Sequence, residues 1–163
     1  MQENREEVLM TAYAAGDEAA LEPLFDGLAP RVLALFSYCV PESRQAEDLL
    51  EQTFMRLRRQ RHTYRPGAPV RPFVFGIAAS LCADRMAERR WTDTSRAQSV
   101  GDVFAALSGD DRLLIYLHRH EGLRISQIAA VLGVSEPVAR AQVFRLYQQL
   151  RERLQPLLDG ESS

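Results

Sequence analysis

Apolar residues return every three or four positions along most of the chain, and nowhere do apolar and polar residues alternate as along a half-buried strand. That spacing commits the chain to helices. Behind Asp17, a good N-cap, Ala20, Leu21, Leu24, Phe25 and Leu28 share one face, predicting a helix over 18–28 that Pro23 should bend. Pro30 suits the first turn of a second helix ending near Val40. Pro41 and Ser43 open a third, with Leu49, Leu50, Phe54 and Leu57 apolar. Residues 63–72 hold three prolines and Gly67, and so read as a loop, with a fourth helix from Phe73 to about residue 90.

Residues 92–100 are polar and carry no apolar stripe, which predicts a flexible linker over 92–104. Beyond it Leu107, Leu113, Leu114 and Leu117 mark one helix, ended at Gly122. Ile125, Ile128, Ala129 and Leu132 mark the next, broken by Gly133, and Ser135 caps a last helix with Ala139, Val143, Leu146 and Leu150 inward. The expected fold is all-α: two small helical domains, 1–91 and 105–163, joined by the 92–104 linker. Two short helices around a glycine turn, the second longer and bearing arginines, form a helix-turn-helix pattern.

Composition excludes several classes. With 46% hydrophobic and 26% charged residues, wholesale disorder is not expected. No apolar run is long enough to cross a bilayer, and the N-terminus lacks the layout of a signal peptide, so a cytoplasmic location without membrane insertion is expected. Cys39 and Cys82 sit in apolar helical patterns and read as buried thiols. His118 and His120, two apart, do not face each other on a helix, and no metal-ligand spacing occurs. No nucleophile–base pair or phosphate loop appears either. Neither enzymatic function nor a cofactor is expected.

Charge is segregated. Residues 1–54 carry eleven acidic and three basic side chains, whereas residues 55–91 carry nine arginines against Asp84 and Glu88. All twenty basic residues of the chain are arginine, which reads as codon bias before it reads as function. Arginines beside Tyr64, Phe73, Phe75 and Trp91 have the composition of a surface for phosphates and unpaired bases, though a solvated face balanced by the acidic half has the same composition.

Together the halves resemble one family, the extracytoplasmic-function sigma factors. Gly16-Asp17-Glu18-Ala19-Ala20-Leu21 matches the opening of their region two. Ala46-Glu47-Asp48-Leu49-Leu50-Glu51-Gln52-Thr53-Phe54 is similar to the segment that docks on the polymerase clamp. Phe73-Val74-Phe75-Gly76-Ile77-Ala78 through Asp84-Arg85 resembles the helix at the minus-ten element. Gln127-Ile128-Ala129-Ala130-Val131-Leu132-Gly133-Val134-Ser135 looks like the region-four helix-turn-helix.

The resemblance implies a factor that gives RNA polymerase its promoter specificity, with core polymerase, promoter DNA and an anti-sigma factor as partners. Asp48, Glu51 and Gln52 would be exposed toward the clamp, with Leu49 and Phe54 packed. Tyr64, Arg65, Arg71, Phe73, Ser80, Arg85, Arg89 and Arg90 would meet the minus-ten strand, and the 63–72 loop would accept an extruded base. Ser135, Arg140, Gln142, Phe144 and Arg145 would meet the minus-thirty-five element. The chain departs from the family pattern in several places. Phe73 stands where tryptophan is usual and Ser80 where asparagine is. Glu51-Gln52 reverses the usual order. Arg124 replaces a serine cap, and Val138-Ala139-Arg140-Ala141-Gln142 lacks one arginine and two hydroxyls. Those losses leave open an alternative: a sigma-like decoy or adaptor that binds a regulator and no promoter.

Overall fold

The computed structural model describes residues 1–40, 42–86 and 98–160. Among them are eight α-helices and no strand: α1 (Gln2–Ala14), α2 (Leu21–Cys39), α3 (Ser43–Gln60), α4 (Val70–Met86), α5 (Val100–Ala105), α6 (Gly109–Ile115), α7 (Ile125–Leu132) and α8 (Glu136–Gly160).

Asp17 caps as its position predicts. Its carboxylate accepts the Ala19 N–H at 3.0 Å, and a 3₁₀ turn, Glu18–Ala20, feeds into α2. The prolines do not divide the segment as expected. Pro23 falls in the first turn of α2, where its missing N–H has no helical acceptor to lose. Pro30 lies mid-helix, yet α2 runs through it to Cys39. Pro30 is exposed, while Leu28, Ala29 and Val32 around it are buried, so packing of the inner face carries the helix past one missing backbone bond.

Leu24, Leu28, Val32, Leu35 and Phe36 of α2 meet Ala46, Leu49 and Leu57 of α3 and Val74, Phe75, Ala78 and Cys82 of α4 in one core. Inside α3 the buried Thr53 hydroxyl donates to the Leu49 carbonyl at 2.7 Å. The expected 63–72 loop is shorter than read, because α4 begins at Val70 and takes Pro72 into its first turn. Cys39 and Cys82 are both buried.

The expected linker is also corrected. Its residues 92–97 lie outside the described residues, but α5 begins at Val100. Ser99 accepts the Asp102 N–H, Asp102 accepts the Ser99 N–H, and Val103 is wholly buried. Hydrogen bonds from the backbone at Gln98, then from Ser99, hold the Asp102 carboxyl below its ordinary range. A second cap, Ser108 accepting from the Asp111 N–H, starts α6 after Leu107, which was expected to lie inside that helix. A single π-helical turn, Tyr116–His120, follows α6, and Gly122 and Gly133 turn the chain in left-handed conformations, φ +65° and +66°.

The two halves lie against each other. Helix α7 packs on α4 so closely that a Cβ added at Gly76 would sit 3.9 Å from the Val131 carbonyl oxygen. Arg31 pairs with Glu121 at 3.1 Å, and the Tyr116 hydroxyl donates to the Arg31 carbonyl at 2.9 Å. Arg112 donates to the carbonyls of Tyr38, Phe104 and Ala105 at 3.2, 3.1 and 3.0 Å. His120 stacks on Tyr116 beside Tyr38 at the same seam, while His118 bonds the Tyr147 hydroxyl at 2.8 Å.

Because α2 tolerates Pro30 only through packing, Pro30→Ala should restore a backbone bond and stabilise the protein by about 1–3 kcal/mol. Urea denaturation followed by circular dichroism measures this; an unchanged or lower midpoint would mean that the fold depends on the proline.

Candidate partner and nucleic-acid interfaces

Four residues a turn apart set the acidic surface of α3. Ala46, Leu49, Thr53 and Leu57 face the core, which leaves Asp48, Glu51, Gln52 and Met55 outward. Leu49 is 1% exposed and anchors the helix, as the sequence predicts. Phe54 is half-buried, its ring centroid 4.6 Å from that of Phe25. Between the start of α2 and α3 lies an open groove of about 570 Å³, with Leu21, Phe25, Leu50, Phe54 and Met55 along it and Glu18, Glu22, Glu47 and Glu51 at its margins. Sequence reasoning missed Phe25, Glu47 and Met55 as members of this surface. Phe25 lay on the apolar stripe of its helix and was expected inside; it is 39% exposed.

The arginine block does not form one surface. Arg56, Arg58, Arg59 and Arg65 are exposed, with Arg56 donating to the Ser80 hydroxyl at 3.3 Å. Arg61 lies over the Tyr13 ring, 4.7 Å from its centroid, and pairs with Glu18. Two expected DNA contacts turn inward in this structure. Tyr64 is 4% exposed, with its hydroxyl donating to the Ala68 carbonyl and its ring edge-on to Phe73. Burial, with Glu7 nearby, pushes its phenol up. Arg71 turns inward and pairs with the buried Glu6 at 3.4 Å. Both positions belong to the packing that seats the start of α4, so neither side chain lies on an open surface. Phe73, half-buried, and Ser80, exposed, line a crevice of about 610 Å³ at the seam, together with Gly76, Ile77, Val131 and Gly133. Arg85 lies in the last turn of α4, and Arg89 and Arg90 lie outside the described residues.

Gly133 makes the turn between α7 and α8, and Ser135 immediately precedes α8. Gln127 accepts the Arg124 N–H at 2.9 Å, closing half of a capping box; an arginine side chain has no acceptor for the other half. Ala139, Val143, Leu146 and Leu150 turn inward on α8, leaving Arg140, Phe144 and Arg145 exposed. Arg140 pairs with Glu136 at 2.8 Å one turn back. Gln142 departs from the expected outward position: it is half-buried and lines a recess with Asp110, Asp111 and Leu113 beside α6. Among the described residues no group of His, Cys, Asp and Glu is placed to hold a metal ion.

An acidic, apolar-floored groove on one bundle and a helix-turn-helix on the other have the build of a transcription-initiation factor. Residues 24–92 match the family model for sigma-70 region 2, and residues 97–150 that for sigma-70 region 4. Over 89% of its length the chain is 30% identical to the RNA polymerase sigma factor CarQ of Myxococcus xanthus, covering 95% of that protein. It is 24% identical to the ECF RNA polymerase sigma factor SigL of Mycobacterium tuberculosis, over 91% of this chain and 96% of that one. Its fold is similar to that of CnrH, solved in complex with the cytosolic domain of CnrY, at a TM-score of 0.69 and 23% identity over 96% of this chain and 98% of that one. It is also similar to the sigma factor RpoE of Bartonella quintana, solved with the anti-sigma factor NepR, at a TM-score of 0.65 and 19% identity over 82% of this chain and 96% of that one. The chain belongs to the extracytoplasmic-function group of the sigma-70 family. It directs promoter recognition by RNA polymerase, and sigma factors as a family are initiation factors rather than catalysts. No helix among the described residues is long and apolar enough to cross a membrane.

The buried Glu6–Arg71 pair and the exposed Arg65 should separate structure from surface. Arg71→Ala breaks the ion pair to the buried Glu6 and should cost about 3 kcal/mol, whereas Arg65→Ala should change stability by less than about 0.5 kcal/mol. Equal unfolding midpoints for the two variants would refute the distinction.

Proposed function

We propose that this sigma factor docks on core polymerase through the α3 face and its groove, and reads promoter DNA with the outer sides of α4 and α8, acting in the cytoplasm where the core enzyme works. The observation that carries the reading is the division of labour along one chain. Asp48, Glu51 and Gln52 stand outward on α3, opposite its buried Ala46, Leu49, Thr53 and Leu57, while exposed arginines gather from its end onward. An acidic face suits a basic clamp helix and orients the encounter. The domain division in this reading is 1–91 for clamp and minus-ten contacts and 105–163 for minus-thirty-five contacts, with the segment between them starting to fold by Val100.

On α4, Phe73, Ile77 and Ser80 are the residues aimed at the minus-ten strand, with the exposed Arg65 as a further contact; the expected contacts Arg85, Arg89 and Arg90 are kept from the family resemblance alone. At the minus-thirty-five element Ser135, Arg140, Phe144 and Arg145 make the contacts, and Gln142 positions α8 against α6. The seam crevice shared by α4 and α7 means that the two halves separate before Phe73, Ile77 and Ser80 reach DNA. A closed chain of this kind is a natural target for an anti-sigma factor, the class of protein bound to the similar Bartonella sigma factor in its solved complex. A specific observation favours the adaptor reading as runner-up: Arg140 is held by Glu136 and Gln142 is turned inward, which thins the base-reading set of α8.

Two measurements test this. Asp48→Arg with Glu51→Arg should weaken core binding at least tenfold and leave the circular dichroism spectrum unchanged, since exposed charges contribute little to stability; unchanged affinity would remove the docking assignment. Transcription in vitro with core polymerase and a promoter library should yield a defined promoter set, and silence on every promoter would hand the decision to the adaptor. Separately, Arg112→Ala combined with Glu121→Gln should loosen the seam. A larger radius of gyration in small-angle scattering and faster open-complex formation are expected, and an unchanged radius would show that these contacts do not hold the halves together.

A further inference from the structure

We propose that Phe144, with Ala141 and Pro137 beside it, reads thymine methyl groups in the major groove and so sets the upstream sequence preference of this chain. This rests on α8 being the DNA-reading helix, as proposed above, and names the chemistry it reads.

Pro137, Ala141 and Phe144 follow at i, i+4 and i+7, so they form one stripe down the outer side of the first turns of α8. All three are exposed, Phe144 to 64%, although the opposite side of the helix is fully engaged in the core. With Glu136 and Arg140 they line a shallow dish of about 570 Å³. A phenyl ring held in water on so well-packed a helix is apolar surface that a partner can cover. The polar readers around it are few. Arg140 is engaged by Glu136 at 2.8 Å, and Gln142 and Arg145 both line the recess beside Asp110 and Asp111, with Arg145 exposed at its rim.

The occupant follows from chemistry. In the major groove a base pair offers hydrogen-bonding edges and, at thymine alone, a methyl group; alanine and phenylalanine are side chains that meet that methyl. The stripe opens one turn after the Gly133 turn, on the second helix of the helix-turn-helix, the position that enters the groove. Arg140 and Arg145 flank it and suit the phosphates at either margin, while Glu136 is the one carboxylate lining the dish. A protein partner covering the same stripe would want a matching apolar face and no phosphate.

The test uses holoenzyme assembled from core polymerase and the full chain. A promoter is selected from a random library, and each thymine of its upstream element is then replaced singly by deoxyuridine, which removes the methyl and nothing else. For the native chain, at one or two positions the replacement should lower open-complex formation about fourfold, the worth of one buried methyl-sized group. Phe144→Ala should lose the same factor on the thymine promoter and become indifferent to deoxyuridine at those positions. Phe144→Leu should keep part of the preference. Core affinity and helix content, measured alongside, should not change, because Phe144 lies outside the core. Native holoenzyme that treats thymine and deoxyuridine alike at every upstream position overturns the proposal while leaving α8 a DNA reader. So does a Phe144→Ala variant that keeps the deoxyuridine penalty, or one that loses only binding to a protein partner. Absence of transcription from any promoter overturns this proposal and the DNA-reading assignment together.

Discussion

Helix α4 is the wall on which both halves lean. One side of it, through Val74, Phe75, Ala78 and Cys82, completes the core with α2 and α3. Another side receives α7, whose Val131 backbone would be in ordinary contact with a Cβ placed at Gly76. Its first turn is fixed by the buried Glu6–Arg71 pair, which ties α4 to α1. A buried ion pair is a weak source of net stability but a strict one for geometry, because breaking it strands a charge. The same helix carries Phe73 and Ser80, so the residues proposed to meet DNA are held by the scaffold rather than by a loop.

Much of this was legible in the sequence because helices announce themselves by period. The core face of α3, with Leu49 and Leu57 inward and Asp48, Glu51 and Gln52 outward, follows directly from 3.6 residues per turn, and so does the inward stripe of α8. The left-handed turn at Gly133 was readable from residue type alone. What was not legible depended on tertiary packing. Pro30 reads as a helix start, and only the buried residues around it explain why α2 passes through. Val100, Val103, Phe104 and Leu107 are spaced as a helical stripe, but the polar residues before them drew the boundary too late. The capping serines at 99 and 108, each three residues before an aspartate, were the local signals that marked the extra helices.

The candidate surfaces divide along the same line. Outward positions on a helix were found by counting; positions whose direction depends on a partner were not. Arg71 and Tyr64 sat in a stretch that composition marked as basic and aromatic, yet each has a specific inward partner, Glu6 and the Ala68 carbonyl. Gln142 likewise turns toward α6. The groove beside α3 was invisible to the sequence because half of it comes from the first turns of α2, some thirty residues earlier.

The contacts at the seam have a consequence for how the molecule answers ionic strength. Arg112 donates hydrogen bonds to carbonyl oxygens from both halves, which carry no net charge for salt to screen. The carboxylate that faces Arg31 belongs to Glu121, whose side chain is 3% exposed and thus largely shielded from counterions. These contacts are therefore less sensitive to salt than a fully exposed ion pair would be. Arginines that meet phosphates are the opposite, since each contact releases counterions and weakens steeply as salt rises. A cell that shifts its internal salt would retune the grip of this factor on DNA more than it loosens these seam contacts, so the two answer to different physical variables.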